Sequence, residues 1–108
     1  MARNDLQGSL DLLVLKTLSQ RDRLHGYAIV LHIQKASDEL LQVEEGSLYP
    51  ALHRMEQSGW ISSEWALTET KRKAKYYRLT VAGKKQLQEA EESFEQLVNG
   101  IRAILRYA

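Results

Sequence analysis

Apolar positions along the 108 residues recur with helical spacing in four stretches and with strand-like composition in three. The first stretch is Leu10, Leu12, Leu13, Val14, Leu15 and Leu18, with Ser9 before it as the N-cap of a helix reaching about Ser19. That set leaves almost no polar face, the mark of a helix buried on more than one side. In a chain this short the second side is open to another copy, so Leu10 and Leu13 are candidate dimerisation residues. After a polar break at Gln20–Arg23, Leu24-His25-Gly26-Tyr27 opens a second helix to about Ala36. Its expected inner stripe is Tyr27, Val30 and Ile33, with Ile29 beside it. Ser37–Glu39 is a break, and Leu40–Val43 has the composition of one short strand.

The third helix lies between Gly46 and Gly59, with Leu48, Leu52 and Met55 at i, i+4 and i+7. Its other face carries Ser47, Tyr49, Pro50, His53 and Arg54. Gly59 is a natural C′ residue. Pro50 fits the first turn, where amides lack partners; a start at Glu45 would instead put it inside the helix. Trp60–Leu67 and Lys75–Leu79 are rich in strand formers and flank a polar, charged turn at Thr68–Ala74. Without an Asn-Gly pair, the hairpin tip is expected to be long and mobile. Tyr76 and Tyr77 must point to opposite faces, one inward and one outward.

Thr80 caps a last helix running toward the C-terminus. Leu87, Phe94, Ile101 and Ala108 are seven apart, as are Ala90, Leu97 and Ile104, offset by three. This is an a/d seam over about three heptads, widened by Val98 and Leu105. A helix of this length spans roughly 40 Å and outreaches so small a domain. Leu87, Ala90, Phe94, Leu97, Ile101 and Ile104 are therefore expected to join two copies. The expected fold is mainly α with a small β-hairpin: residues 1–80 form a winged helix-turn-helix and 81–108 a long dimerisation helix.

Composition narrows the chemistry. The chain has no cysteine, which excludes disulfides and thiolate metal sites. No apolar run approaches the ~20 residues of a bilayer span, and the first residues lack a signal-peptide layout. A cytoplasmic location and no membrane partner are expected. Net charge is only +1, but its distribution is uneven. Lys71 to Lys85 holds seven Lys or Arg and no acid, whereas Glu89 to Glu95 holds four Glu and no base. A local cationic patch binds phosphate even on a near-neutral chain. His25, His32 and His53 are the only histidines; His25 and His32, seven apart, lack a third ligand nearby in sequence, and no phosphate loop or nucleophile elbow is present. No enzyme activity, cofactor or metal is expected.

Gly46-Ser47-Leu48-Tyr49-Pro50-Ala51-Leu52-His53-Arg54, Gly59-Trp60-Ile61, Tyr76-Tyr77-Arg78-Leu79-Thr80 and Gly83 together resemble the PadR family of bacterial transcriptional regulators. Gly8-Ser9-Leu10 to Leu18 and His25-Gly26-Tyr27 fit the same pattern. The resemblance implies a homodimeric winged helix-turn-helix protein, usually a repressor, on a palindromic operator in double-stranded DNA. It looks like a short-tailed member, with one helix after Gly83. Some members of the family release DNA on binding an aromatic small molecule near the dimer interface. Here the last helix has Phe94 and no tryptophan, and the sequence identifies no effector.

On this resemblance Ser47, Tyr49, Pro50, His53 and Arg54 form the reading helix. Arg54 suits guanine or phosphate, or a salt bridge to a carboxylate; Tyr49 suits DNA or packing beneath the helix; His53 suits backbone phosphate. Lys71, Arg72, Lys73 and Lys75 match the wing, where lysines meet phosphate or the minor groove. Trp60 and Trp65 are expected to pack. The competing reading is a winged-helix module that binds protein and has lost DNA.

Overall fold

In the computed structural model the backbone is described for residues 2–107 and side chains for residues 9–107. The chain runs α1 (Ala2–Ser19), β1 (Leu24–His25), α2 (Gly26–Ala36), α3 (Glu45–Gln57), β2 (Ile61–Leu67), β3 (Lys73–Leu79) and α4 (Val81–Arg106). Ala108, the last member of the expected seam, lies outside the described residues.

The core forms where apolar faces of three helices converge on the base of the sheet. Leu10, Val14, Leu15 and Leu18 of α1 meet Ile29 and Ile33 of α2 and Leu48, Ala51, Leu52 and Met55 of α3. Ile61, Tyr77 and Leu87 close it from the sheet and from α4. Thr17 is the one buried polar residue among those described; its hydroxyl donates to the Leu13 carbonyl at 2.8 Å, so the burial leaves no unmet polar group.

Several expectations change here. Ser9 does not cap α1, because the helix already runs through it from Ala2. Leu24–His25 does not open a helix; it is a two-residue strand antiparallel to β3, pairing Leu24 with Tyr77 and His25 with Tyr76. The hairpin is therefore part of a three-stranded sheet in the order β1-β3-β2. Because α2 starts only at Gly26, its buried line is Gly26, Ile29 and Ile33, and Tyr27 turns outward. Leu40–Val43 is no strand: a turn with Asp38 and Glu39 at φ +53° and +69° leaves Leu40 exposed, while Val43 is buried in the core and Leu41 packs partly against it.

Helix α3 begins at Glu45, so Pro50 sits inside it and removes an internal amide bond. Its end follows the expected glycine cap. Gly59, at φ +82°, donates its amide to the Glu56 carbonyl, and the Trp60 amide reaches back to Met55, both at 3.0 Å. Thr80 caps α4 as expected, its hydroxyl accepting from the Gly83 amide at 3.0 Å. Two members of the expected dimer set are taken up by the chain's own core: Leu10 is 4% exposed and Leu87 is 7%. The first turns of α4 lie against α1, which buries these side chains before any second copy arrives. Beyond them α4 leaves the domain, and the molecule extends to 59 × 28 × 21 Å.

Candidate nucleic-acid interface

With Leu48, Ala51, Leu52 and Met55 turned inward, helical spacing aims Gly46, Pro50, His53 and Gln57 straight outward. All four are exposed. Tyr49 and Glu56 flank this face on the side of the wing, and Ser47 and Arg54, seven apart, flank it on the side of α1. All five expected reading residues, Ser47, Tyr49, Pro50, His53 and Arg54, are exposed on one helix. Gln57 joins them, and its position one turn beyond His53 is legible in the helical spacing.

Arg54 takes the salt-bridge alternative. Its guanidinium makes a two-pronged contact with Asp11 of α1, Nη1 to Oδ2 at 2.8 Å and Nη2 to Oδ1 at 2.7 Å. The hydrogen bond to Asp11 pushes the guanidinium pKa up, against a smaller lowering by burial. Tyr49 packs against the domain while staying partly exposed. It is 44% exposed, yet the phenol end of its ring lies against Gly26 at the start of α2. A Cβ on Gly26 would stand 2.5 Å from the Tyr49 hydroxyl, so the ring is seated there only because residue 26 has no side chain. Burial, reinforced by Glu45, pushes the Tyr49 phenol above its ordinary value and keeps it a proton donor. At the N-terminus of α2, His25 Nδ1 accepts from the Ala28 amide at 3.2 Å, which gives that histidine a capping role.

The wing consists of β2 and β3 paired in continuous register from Ile61–Leu79 to Leu67–Lys73. Its tip is tighter than expected. The Thr68 amide donates to the Arg72 carbonyl at 2.8 Å, and the Arg72 amide returns to the Thr68 hydroxyl at 3.1 Å. Lys71 turns the corner at φ +65°. Lys71, Arg72 and Lys73 are exposed there, and among the described residues no carboxylate lies within ion-pair distance of any of them. Lys75 differs: its amine is 3.5 Å from Glu56 and 5.9 Å from the centre of the Tyr77 ring.

The two tyrosines are now distinguished. Tyr77 is buried, and burial, with Glu56 and Tyr49 nearby, pushes its phenol pKa up. Tyr76 lies on the outer face with His25 edge-on at 5.3 Å and the Arg23 guanidinium 4.4 Å above its ring. Arg23 also pairs with Glu64, and Arg78 approaches Glu64 at 3.9 Å and Asp22 at 4.0 Å. That outer face is thus electrostatically closed. Trp60 packs on the core as expected, but Trp65 does not: it is 63% exposed on the inner face of the wing. It borders an open groove of about 1010 Å³ between the wing, the start of α2 and Tyr49. Among the described residues no cluster of three or more His, Asp or Glu is placed to hold a metal. Nor is any helix there long and apolar enough to cross a membrane.

A small antiparallel sheet behind a reading helix, followed by a long helix, defines a winged helix-turn-helix protein. A transcriptional regulator from Clostridium thermocellum is similar, with a TM-score of 0.86 at 30% identity, covering 95% of this chain and 99% of that one. So is a PadR-family transcriptional regulator from Eggerthella lenta, with a TM-score of 0.82 at 33% identity, covering 100% and 91%. A transcriptional regulator of Mycobacterium tuberculosis is 35% identical over 68 residues, 63% of each chain. Residues 14–89 match the transcriptional regulator PadR-like family. The chain belongs to that family, which is non-enzymatic and whose membership implies DNA binding.

Proposed function

We propose that the chain is a homodimeric repressor that holds a palindromic operator, with α3 in the major groove and the wing on the backbone or in the minor groove. The observation that carries this reading is the set Lys71, Arg72 and Lys73, exposed and unmatched by any described carboxylate, beside the outward face of α3. Phosphate contacts of this kind supply affinity and position, and the side chains of the helix supply sequence choice. Ser47, Tyr49, Pro50, His53 and Gln57 are the groups offered to base edges and flanking phosphates. Repression is the simplest consequence of occupying an operator.

The second copy is supported by α4. Phe94, Leu97, Ile101 and Ile104 are exposed at alternating spacings of three and four, an apolar stripe that water does not favour. Ala90 and Leu13, both half-buried, border it. Charge favours an antiparallel crossing, which sets Glu92 and Glu95 of one helix near Arg102 and Arg106 of the other. Residues 1–80 and 81–108 then divide by role, although Gly83 and Leu87 are buried against the first part.

The test is binding of the purified chain to DNA from its own upstream region at two salt concentrations. Affinity should fall by orders of magnitude between about 50 and 200 mM salt. Binding that is absent, or indifferent to salt, would remove the reading. Leu97→Asp should sediment as a monomer and bind the operator more weakly; a persistent dimer would move the interface away from α4.

A further inference from the structure

Strand alternation puts Trp65 and Leu67 on the same face as Ile61 and Ser63, yet beyond the reach of the core. In the β2–β3 register Trp65 stands opposite Lys75, and Leu67 opposite Lys73. Directly opposed side chains in such a pair are close neighbours, so the indole lies beside the Lys75 stem, with Lys73 on the diagonal. Across the groove stand Tyr27, 54% exposed, and Tyr49, seated on Gly26. The lining therefore combines cations and an apolar ring on the wing with two tyrosines at the start of α2 and on α3. Arg72, Lys73 and Lys75 outnumber the one acid on the lining, Glu69.

We infer that this groove is a slot for one sugar-phosphate strand of duplex DNA, with the Trp65 indole packed on a deoxyribose ring. A DNA strand presents matching chemistry, anionic phosphates separated by apolar sugars. Lys73 and Arg72 face the phosphates on one side of the indole, and the Tyr27 and Tyr49 hydroxyls donate to phosphate oxygens across the groove. The strand so held is the one dividing the major groove beside α3 from the minor groove beside the wing tip. Trp65 thus grips DNA without reading it. The inference rests on the DNA-binding mode proposed above.

The test uses the whole chain with two unrelated 20-base-pair duplexes. The Trp65 signal is isolated as the difference in emission between the wild type and Trp65→Phe. Either duplex should shield that signal from acrylamide. Trp65→Ala should weaken binding about tenfold on both duplexes alike, as for loss of one large side chain from a buried contact. Its salt slope should match the wild type, because no charge has been removed. Trp65→Phe, which keeps an aromatic face, should restore most of the affinity. Wild-type binding that is salt-sensitive while the Trp65 signal stays open to acrylamide and Trp65→Ala binds normally would empty the slot and leave the DNA reading intact. A slope lowered by Trp65→Ala would also overturn the sugar contact, since the indole would then act only by placing lysines. Absence of salt-sensitive binding by the wild type would remove both the slot and the reading beneath it.

Discussion

Arg54 lies on the α1 side of the reading helix; Lys71, Arg72 and Lys73 lie on its other side, at the tip of the wing. All are exposed cations, and by residue type all suit phosphate. Arg54 is held by two short hydrogen bonds to Asp11, whereas the tip has no described carboxylate in reach. On the binding mode proposed above, a cation's value to DNA depends on whether its charge is already answered within the fold. Arg54 ties α3 to α1, and the wing tip has charge left for a ligand. Lys75, in the same strand as Lys73 but paired to Glu56, stands between the two cases.

The largest effect should come from reversing the tip. Lys71→Glu with Lys73→Glu should lower affinity for every duplex by roughly two orders of magnitude at low salt and flatten the salt slope by about two units. Filter binding across a salt series reads both, and an unchanged slope would place the tip away from the backbone. Arg54→Met should do the reverse, leaving the slope as in the wild type and lowering stability by up to about 1 kcal/mol, as for an exposed but well-aligned ion pair. Thermal melting and the same salt series measure it; a slope reduced by one unit would return Arg54 to the phosphates. Lys75→Gln should flatten the slope by less than Lys73→Gln, because Glu56 already neutralises much of its charge. Equal effects would erase the distinction between answered and unanswered cations within the wing.

The smallest effect concerns the base of the wing and appears only in alkali. Tyr77 has its phenol pKa raised by burial, so the folded chain keeps a proton that the unfolded chain loses near pH 10. The phenol's contribution is therefore fully present below pH 10 and is lost as pH rises further. Tyr77→Phe should lose less stability than the wild type between about pH 10 and 11 in denaturant titrations. A parallel decline would mean that Tyr77 ionises equally in both states.

Much of this arrangement was legible in the chain itself. Helix α3, the two long strands and α4 follow from local periodicity and from punctuation at Gly59 and Thr80, and all lie close to where those signals put them. Strand β1 was not legible, because two residues carry no period and Leu24–His25 becomes a strand only through β3, some fifty residues later. The Arg54–Asp11 pair spans 43 positions and depends on how α1 packs across α3, so residue type alone left both readings of Arg54 open. Trp65 has the alternation of a core residue, but the core ends before it, and only the assembled sheet shows where it ends. Leu10 and Leu87 differ in the opposite sense: the all-round apolar face of α1 and the heptad spacing of Leu87 are real, yet the packing of α1 on the first turns of α4 uses both within one chain.

The junction between α3 and α4 has a mechanical consequence. Thr80 donates its hydroxyl to the Gly59 carbonyl at 2.6 Å and its amide to the Trp60 carbonyl at 3.1 Å. A Cβ on Gly83 would lie only 2.0 Å from that same Trp60 oxygen, so the first turn of α4 is seated directly on the cap that closes α3. From this seat α4 runs for 26 residues, an arm of about 39 Å. Shifting its far end by 1 Å corresponds to a tilt of about 1.5° at the seat. In a paired molecule the two arms work as a caliper whose jaws are the two α3 helices, and the crossing point of the arms sets the gauge. Operator spacing would then be adjustable far from any residue that touches DNA.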